Sequence, residues 1–391
     1  MNALLVVAAV LVGLPGASTA LHLGAMAVAS IFYRVPRLDG EPAPVRFLVM
    51  IPAFNEELVI GRTLAALVAD IRPRDTVLVI ADRCTDATAA IALEAGAMVH
   101  KRLPGEEPGR AAARQDGVRI ALGLDWDAVV MIDADSVVEP GFFAACEAAL
   151  DSGAEALQCR SEAALGSRIL DHTAVASFAL QGITLPRGRD RLGLLVRLRG
   201  TGMVLSRHVL ENFAFRAAAS EDLWYSLDLC LAGIRPRHLE TARLRSMNVG
   251  TWKAAGDQRV RYEAGRMGAA REFAGPLLRR HDAASLEAAW FLLSPPFAVA
   301  AFSVALAVVL GLLAHSAPVV LAFTGTLAVI AGVLLVGLVQ SRASWRTWLG
   351  LAIAPWYVPW KVLIQLRALT SVRRRVDNYG ATPRDVVSEK V

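Results

Sequence analysis

The sequence predicts an α/β domain built on a mostly parallel sheet, with transmembrane helices at both ends. Three observations predict it. Short β-rich runs alternate with helical patterns between residues 46 and 279, residues 1–33 contain no Asp, Glu, Lys or Arg, and residues 288–341 contain none either. The chain of 391 residues is 55% hydrophobic and 20% charged, apolar for a soluble protein yet too charged to lie wholly in lipid.

A membrane span takes about 20 apolar residues. The first uncharged stretch therefore holds one helix; it is long and lacks the basic start of a cleaved signal, so it is expected to remain as an anchor. Four strands follow, "RFLVMIPAF" (46–54), "TVLVIAD" (76–82), "MVHKR" (98–102) and "AVVMIDAD" (128–135), separated by helical patterns at Glu56–Asp70, Thr85–Gly96 and Arg110–Gly123. That alternation implies βαβ units and parallel pairing. Ligands of such sheets bind beyond the carboxyl ends of the strands, and three of the four runs end in polar clusters, "AFNEE", "ADRCTD" and "DADS".

The second uncharged stretch, broken near Ala314–Pro318, predicts a hairpin of two spans. The apolar segment Thr347–Leu366 contains Lys361 and is followed by Arg373, Arg374 and Arg375, which favours an interfacial amphipathic helix with Trp356, Tyr357 and Trp360 at headgroup depth. Arg34 and Arg37 follow the first span, Arg279 and Arg280 precede the second, and Arg342 and Arg346 follow the third. The positive-inside rule then places residues 34–285 in the cytoplasm, in a multi-pass protein of the cell (inner) membrane. The expected units are an N-terminal transmembrane helix (1–33), a cytoplasmic catalytic domain (34–251), membrane-interface helices (252–285), a transmembrane hairpin (286–341), and an interfacial helix with a basic tail (342–391).

A net charge of +5 fits a membrane-apposed surface, and no nucleic-acid-binding signature accompanies it. Cys84, Cys146, Cys159 and Cys230 are scattered without a C-x-x-C, which argues against structural zinc and a disulfide framework. The histidines form no H-x-x-x-H pair and default to structural or surface roles.

Asp133 and Asp135 stand two apart at the end of an apolar run. On a strand both carboxylates would leave on one side, where they repel unless a cation joins them. Mg²⁺ or Mn²⁺, sharing one or two carboxylates with substrate phosphates, is the economical solution. A lone D-x-D reads more readily as a solvated turn, or as a cap, with Asp135 or Ser136 capping the helix after Pro140.

Other motifs accompany it. "VMIPAFNEELVIGRTLAAL", "VLVIADRCTDAT", "VVMIDADSVVEPGF", "GTGMVLSR", "SEDLWYSLDLCLAG" and "QRVRYEAGR" follow the order and approximate spacing of a membrane-bound, cellulose-synthase-like family 2 glycosyltransferase, which the chain resembles over most of residues 46–270. The resemblance implies a GT-A (Rossmann-like) fold, a nucleotide-sugar donor (a UDP-hexose), a divalent metal and inversion at the anomeric carbon.

By the same resemblance Pro52, Asn55 and Glu56 line the nucleoside edge, where Asn55 would also suit a helix N-cap, and Asp82 contacts base or ribose. Arg110 stands roughly where relatives carry a lysine near the diphosphate. Asp133 would hold the donor ribose and Asp135 the metal and diphosphate. Asp222, beside Glu221, would be the base that takes the acceptor proton; "SED" is also a good helix start, with Ser220 as N-cap and both acids favoured by the dipole. Gln258 and Arg261, three apart and so on one helix face, match the Q-x-x-R-W signature with Tyr262 in place of tryptophan. Arg261 would meet the departing diphosphate. Gly200, Thr201, Gly202 and Tyr262 would border the acceptor, while Trp224 and Trp252 are expected in the core.

Three spans hardly enclose a pore, so a lipid or lipid-linked acceptor is the expectation, with single transfer of a sugar. The alternatives are a processive synthase of an extracellular polysaccharide, which would need partner proteins or a homo-oligomer, and a catalytically silent membrane scaffold.

Overall fold

A computed structural model describes residues 2–36, 42–164, 169–247, 251–350 and 354–371. Arg37 and the cluster at 373–375 lie outside the described residues. After α1 (Asn2–Ile31) the chain enters the sheet domain: β1 (Phe47–Ala53), α2 (Ile60–Val68), β2 (Thr76–Asp82), α3 (Thr88–Glu94), β3 (Met98–Arg102), α4 (Arg110–Ala121) and β4 (Ala128–Met131). These four strands lie in parallel in the order β3-β2-β1-β4. Every residue of β1 and β4 is buried, as expected where helices cover both faces and the strands become continuous apolar runs.

The domain continues with β5 (Ser136–Val138), α5 (Phe142–Asp151), β6 (Ala156–Ala163), α6 (Ile169–Phe178), a π-helical turn (Ala179–Thr184), α7 (Leu185–Arg191), β7 (Met203–Ser206), α8 (Arg207–Asn212), α9 (Glu221–Leu231) and β8 (Arg237–Ser246). The eight-stranded sheet has the order β3-β2-β1-β4-β7-β6-β8-β5, in which β7 and β5 run against the rest. It is mostly parallel, as the alternation predicts, although β5 to β8 were not foreseen.

Several local expectations are corrected. The fourth strand ends at Met131, not at residue 135, and the amide of Ser136 donates to the Asp133 carbonyl (3.0 Å) to close a turn. Asp133 and Asp135 therefore flank a turn, where aspartate is favoured, and strand alternation does not set their direction. The helix after Pro140 is capped by neither Asp135 nor Ser136: Gly141 takes the N-cap position at φ 83°, and the Asp70 carboxylate accepts from the amides of Gly141 (2.6 Å) and Phe143 (3.1 Å). Asn55 caps no helix either, because α2 starts only at Ile60.

Beyond the sheet come α10 (Trp252–Arg280), α11 (Ala283–Leu293), α12 (Phe297–Leu313), α13 (Ala317–Gln340), α14 (Trp345–Gly350) and α15 (Ala354–Ser371). Among the described residues α1 and α13 are long and apolar enough to cross a membrane; α11 and α12 qualify only as one pair, bent by 66°. The bend falls at Pro295–Pro296, whose missing N–H groups end the helix. The first arm of the expected hairpin is thus α12, and residues 286–293 belong to the separate helix α11. Ala9 and Ala20 of α1 pack with Val304, Ala307, Val319 and Phe323 of α12 and α13. Gly16 permits the close approach, since a Cβ there would stand 2.6 Å from the Ala300 carbonyl oxygen. In the segment 347–366 the described residues belong to α14 and α15, and residues 351–353 lie outside them.

Candidate active site

The carboxyl ends of β1 and β2 form one cluster. Asn55, held at φ 53°, accepts through its side chain from the Thr85 amide (2.9 Å), and the Glu56 amide donates to the Thr88 hydroxyl (2.8 Å). The two loops therefore brace each other, with Pro52 buried in β1 behind them. Asp82 ends β2 and is almost fully buried. Arg102 from the adjacent β3 holds it at 2.6 Å, and Arg83 grips both of its oxygens at 3.0 and 3.1 Å. Arg102 also engages Asp116 (2.6 Å) and the Glu107 carbonyl (2.7 Å). Asp82 is thus a charged, preorganised edge.

The second cluster is centred on Arg114, which belongs to none of the sequence motifs. It lies one helical turn after Arg110 on α4, so both guanidiniums leave on one face. Arg114 is completely buried; it donates to Glu221 (2.7 Å) and to the Gly200 carbonyl (2.6 Å), and stands 3.5 Å from Asp133. Arg110 donates to the other Asp133 oxygen at 3.2 Å. The Asp133 amide donates to the Thr201 hydroxyl (3.1 Å), and the Gly202 amide donates to the Met131 carbonyl (2.8 Å). The D-x-D turn, the Gly-Thr-Gly loop and the E-D pair are tied to one buried cation.

Gly200 marks the centre. At φ 80° it occupies the left-handed region, and a Cβ there would meet Arg114 Nη2 at 3.2 Å, Asp222 Oδ2 at 3.4 Å and Arg110 Nη1 at 3.5 Å. One acid and two cations thus surround a single point. Burial, and then the neighbouring Glu221 charge, push the Asp222 carboxyl up to about 6, against the pull of Arg114, the Leu223 amide and Arg110. A base that titrates near neutrality both ionises and accepts a proton in the working range.

Helix α10 closes one side. Gly265 seats against Ser220, where a Cβ would come within 2.8 Å of the Ser220 amide nitrogen, and the Trp224 indole donates to the Gly265 carbonyl (3.1 Å). Ser220 takes the N-cap position of α9 but makes no side-chain cap bond; its hydroxyl donates to the Tyr262 carbonyl (3.4 Å), which corrects the expected cap. Tyr262 is 41% exposed, yet burial raises its phenol, with Arg197 opposing and the Asp222 charge adding. Gln258 and Arg261 are exposed on the same helix. Trp224 packs edge-on to Phe273 in the core, as expected, whereas Trp252 is 42% exposed and lies against Tyr357 and Trp360 of α15, contrary to expectation. That contact puts Trp252 at the edge of the α15 aromatic group, where an amphipathic ring is stable half-exposed.

Asp135 sits at the far end of the turn; its Oδ1 accepts from the Ser136 hydroxyl (3.1 Å), which also pairs with Ser246 (2.9 Å). Among the described residues no group of three or more His, Cys, Asp or Glu side chains could hold a metal. A single hard carboxylate still suits Mg²⁺ or Mn²⁺, which bind proteins through one or two carboxylates and complete their shell with phosphate oxygens and water.

A family model described as "Glycosyltransferase like family 2" matches residues 43–265. No curated protein matches the chain. Among solved structures, the mannosyltransferase PcManGT from Pyrobaculum calidifontis, in complex with GDP-Man and Mn²⁺, is similar at a TM-score of 0.55 and 19% identity, over 86% of this chain and 98% of that one. Glucosyl-3-phosphoglycerate synthase from Mycobacterium tuberculosis, in complex with Mn²⁺, UDP and glucosyl-3-phosphoglycerate, aligns at a TM-score of 0.41 and 19% identity, over 56% of this chain and 78% of that one. The likeness to PcManGT bears on the fold, a GT-A-like sheet with covering helices.

Proposed function

This chain belongs to the glycosyltransferase family 2-like group, and from that premise we propose that it is an inverting membrane transferase, moving a hexose from a nucleotide sugar to a lipid or lipid-linked acceptor at the cytoplasmic face. The observation that carries the reading is the convergence of Asp222, Arg110 and Arg114 on Gly200, with Asp133 held against both arginines.

Each residue then has a physical task. Asn55 and Glu56, with Asp82 fixed by Arg102 and Arg83, form a polar edge for the nucleoside. Asp133, its carboxylate held by two guanidiniums and its amide by a threonine hydroxyl, would accept from the donor ribose. Asp135, with Mg²⁺ or Mn²⁺, would hold the diphosphate, and the metal when bound supplies positive charge to the leaving group. Arg110 and, from α10, Gln258 and Arg261 would add fixed donors there. Asp222 takes the proton of the acceptor hydroxyl as its oxygen forms the bond to the anomeric carbon. The bond from that carbon to the diphosphate breaks with its electron pair on the diphosphate, from the opposite face. Glu221 keeps Asp222 basic through its charge while Arg114 anchors Glu221.

The apolar helices α1 and α13 support a membrane-borne acceptor, and the two or three candidate spans among the described residues are too few to wall a polymer channel. The donor is taken to be a UDP-hexose from the family resemblance, and GDP-mannose, the ligand of PcManGT, is the second to try. The test uses the full chain in phosphatidylcholine nanodiscs with Mn²⁺, labelled UDP-glucose or GDP-mannose, and a bacterial lipid extract. Wild type should move label into the lipid fraction, while Asp133→Asn and Asp222→Asn should lose about a hundredfold or more. Equal, metal-independent rates in all three proteins would end the proposal, and a long polymer from the pure protein would replace its acceptor half.

A further inference from the structure

The segment joining α7 to β7 carries two arginines, Arg197 and Arg199, for which donor chemistry has no use. Among the described residues neither guanidinium has a hydrogen bond or an ion pair, and the Nη1 atom of each is shut away from solvent without a partner. What they touch is aromatic: Arg197 stands 3.4 Å from the centroid of Phe291, and Arg199 is 5.3 Å from that of Phe178. The nearby Glu287 carboxylate is already occupied by Arg189 (2.8 Å) and His22 (3.1 Å). Burial, and then the charge of Arg189, depress the Arg197 guanidinium to about 9. Half-buried cations that no carboxylate contacts directly are costly, and cation–π contacts offset only part of that cost.

Their position supplies the meaning. Arg199 directly precedes Gly200, the residue around which Asp222 and the two α4 arginines gather. The carboxylate acting on Arg199 is that of Asp222, and Tyr262 acts on both arginines. On the other side, Phe291 belongs to α11, and Glu287 of the same helix reaches His22 of α1. The pair therefore lies between the proposed base and the membrane helices. A guanidinium pair is well suited to an oxyanion, which it meets with parallel donors.

We propose that Arg197 and Arg199 form an acceptor subsite for a phosphate group, holding a phosphate-bearing acceptor so that its attacking hydroxyl reaches Asp222. This rests on the transferase reading above. The phosphate has two conceivable carriers, a lipid and a soluble ester, and the same pair of guanidiniums would serve either.

The test measures equilibrium binding to the full chain in phosphatidylcholine nanodiscs by tryptophan fluorescence. The probes are farnesyl phosphate, farnesol, glycerol 3-phosphate, and UDP or GDP with Mn²⁺. Wild type should bind farnesyl phosphate at least tenfold more tightly than farnesol. Arg197→Met and Arg199→Met should each weaken it about tenfold to a hundredfold, with nucleotide affinity unchanged and with no loss of thermal stability, since each removes a half-buried charge that no carboxylate contacts directly. Arg199→Lys, which keeps the charge, should retain part of the binding and serves if a methionine variant fails to fold. Tighter binding of farnesyl phosphate than of glycerol 3-phosphate supports the lipid carrier, and the reverse supports the soluble one. Equal binding of farnesol and farnesyl phosphate, or undiminished phosphate binding in both methionine variants, overturns the subsite. Nucleotide loss matching phosphate loss also overturns it, because the arginines would then serve the donor. If wild type binds neither nucleotide, the transferase reading itself falls, whatever the phosphate probes show.

Discussion

Replacing Asp222 by asparagine should inactivate the protein and stabilise it, and the second effect has a defined pH dependence. Burial and the Glu221 charge raise the folded-state carboxyl to about 6, against an ordinary aspartate value of 3.8. Below pH 4 the group is protonated in both folded and unfolded chains and contributes nothing. Between pH 4 and 6 the unfolded chain releases the proton while the folded one keeps it, so folding loses stability as pH rises, and above 6 the whole penalty is present. At about 1.4 kcal/mol per pH unit, the gap corresponds to about 3 kcal/mol. Asp222→Asn removes it without changing shape. For a domain of this size that stabilisation corresponds to a rise of about 6–12 °C in Tm at pH 7.5, falling towards zero near pH 4. The assay is thermal unfolding of the full chain in detergent, followed by tryptophan fluorescence at both pH values, beside sugar transfer at pH 7.5, where the loss should be about a hundredfold or more. An asparagine variant that melts lower than wild type, or equally at both pH values, would refute the picture of a strained, desolvated base.

Two further outcomes follow from the same geometry. Arg114→Met leaves the buried Glu221 carboxylate and the Gly200 carbonyl without their donor, and should cost about 3–5 kcal/mol in denaturant unfolding; a change below about 1 kcal/mol would show that the cation is not the hub. Gly265→Leu pushes a side chain into the Ser220 backbone and should lift α10 from α9, lowering kcat/KM at least tenfold with little change in the melting of the sheet domain, and full activity would show that α10 is not part of the site.

What the sequence disclosed depended on how each residue's environment was built. Strands β1, β2 and β4 are buried on both faces, so their apolar runs are visible without structural help. β6 and β8 were invisible because they bury charge: Arg160 pairs with Glu162 and Glu240, and Glu240 also takes Arg187 and His238. Read one residue at a time, "QCRSE" and "HLETA" resemble surface, since compensation across strands leaves no local trace. Asp133 and Asp222, one from each acidic pair, were singled out by motif order, and both lie beside Arg114 or Gly200. Arg114 was missed, although its spacing of four from Arg110 on a helix was a usable signal. Arg197 and Arg199, alternating in "LVRLRG", had the spacing of two side chains leaving an extended segment on one side, which only their missing partners make informative.

The link between the candidate site and the apolar helices runs through one turn of α10. Tyr262 borders Asp222, Gly265 seats on Ser220 at the start of α9, and Arg266, the next residue, turns to the opposite side. Arg266 is 8% exposed, and it donates to the carbonyls of Phe291 (3.2 Å), Leu292 (2.9 Å) and Ser294 (3.0 Å) at the end of α11. Prolines 295 and 296 have no N–H to offer the carbonyls of Phe291 and Leu292; Phe291 also receives the Ser294 hydroxyl (3.3 Å), which leaves Leu292 to Arg266. In apolar surroundings an unmet carbonyl costs about 1–3 kcal/mol, so Arg266 helps to hold the bend between α11 and α12. The same helical turn therefore fixes the floor of the proposed catalytic pocket and the angle at which the apolar helices leave it. An acceptor held in those helices would arrive at Asp222 at a height set by packing rather than by a flexible linker, which is the arrangement that transfer to a membrane-bound hydroxyl requires.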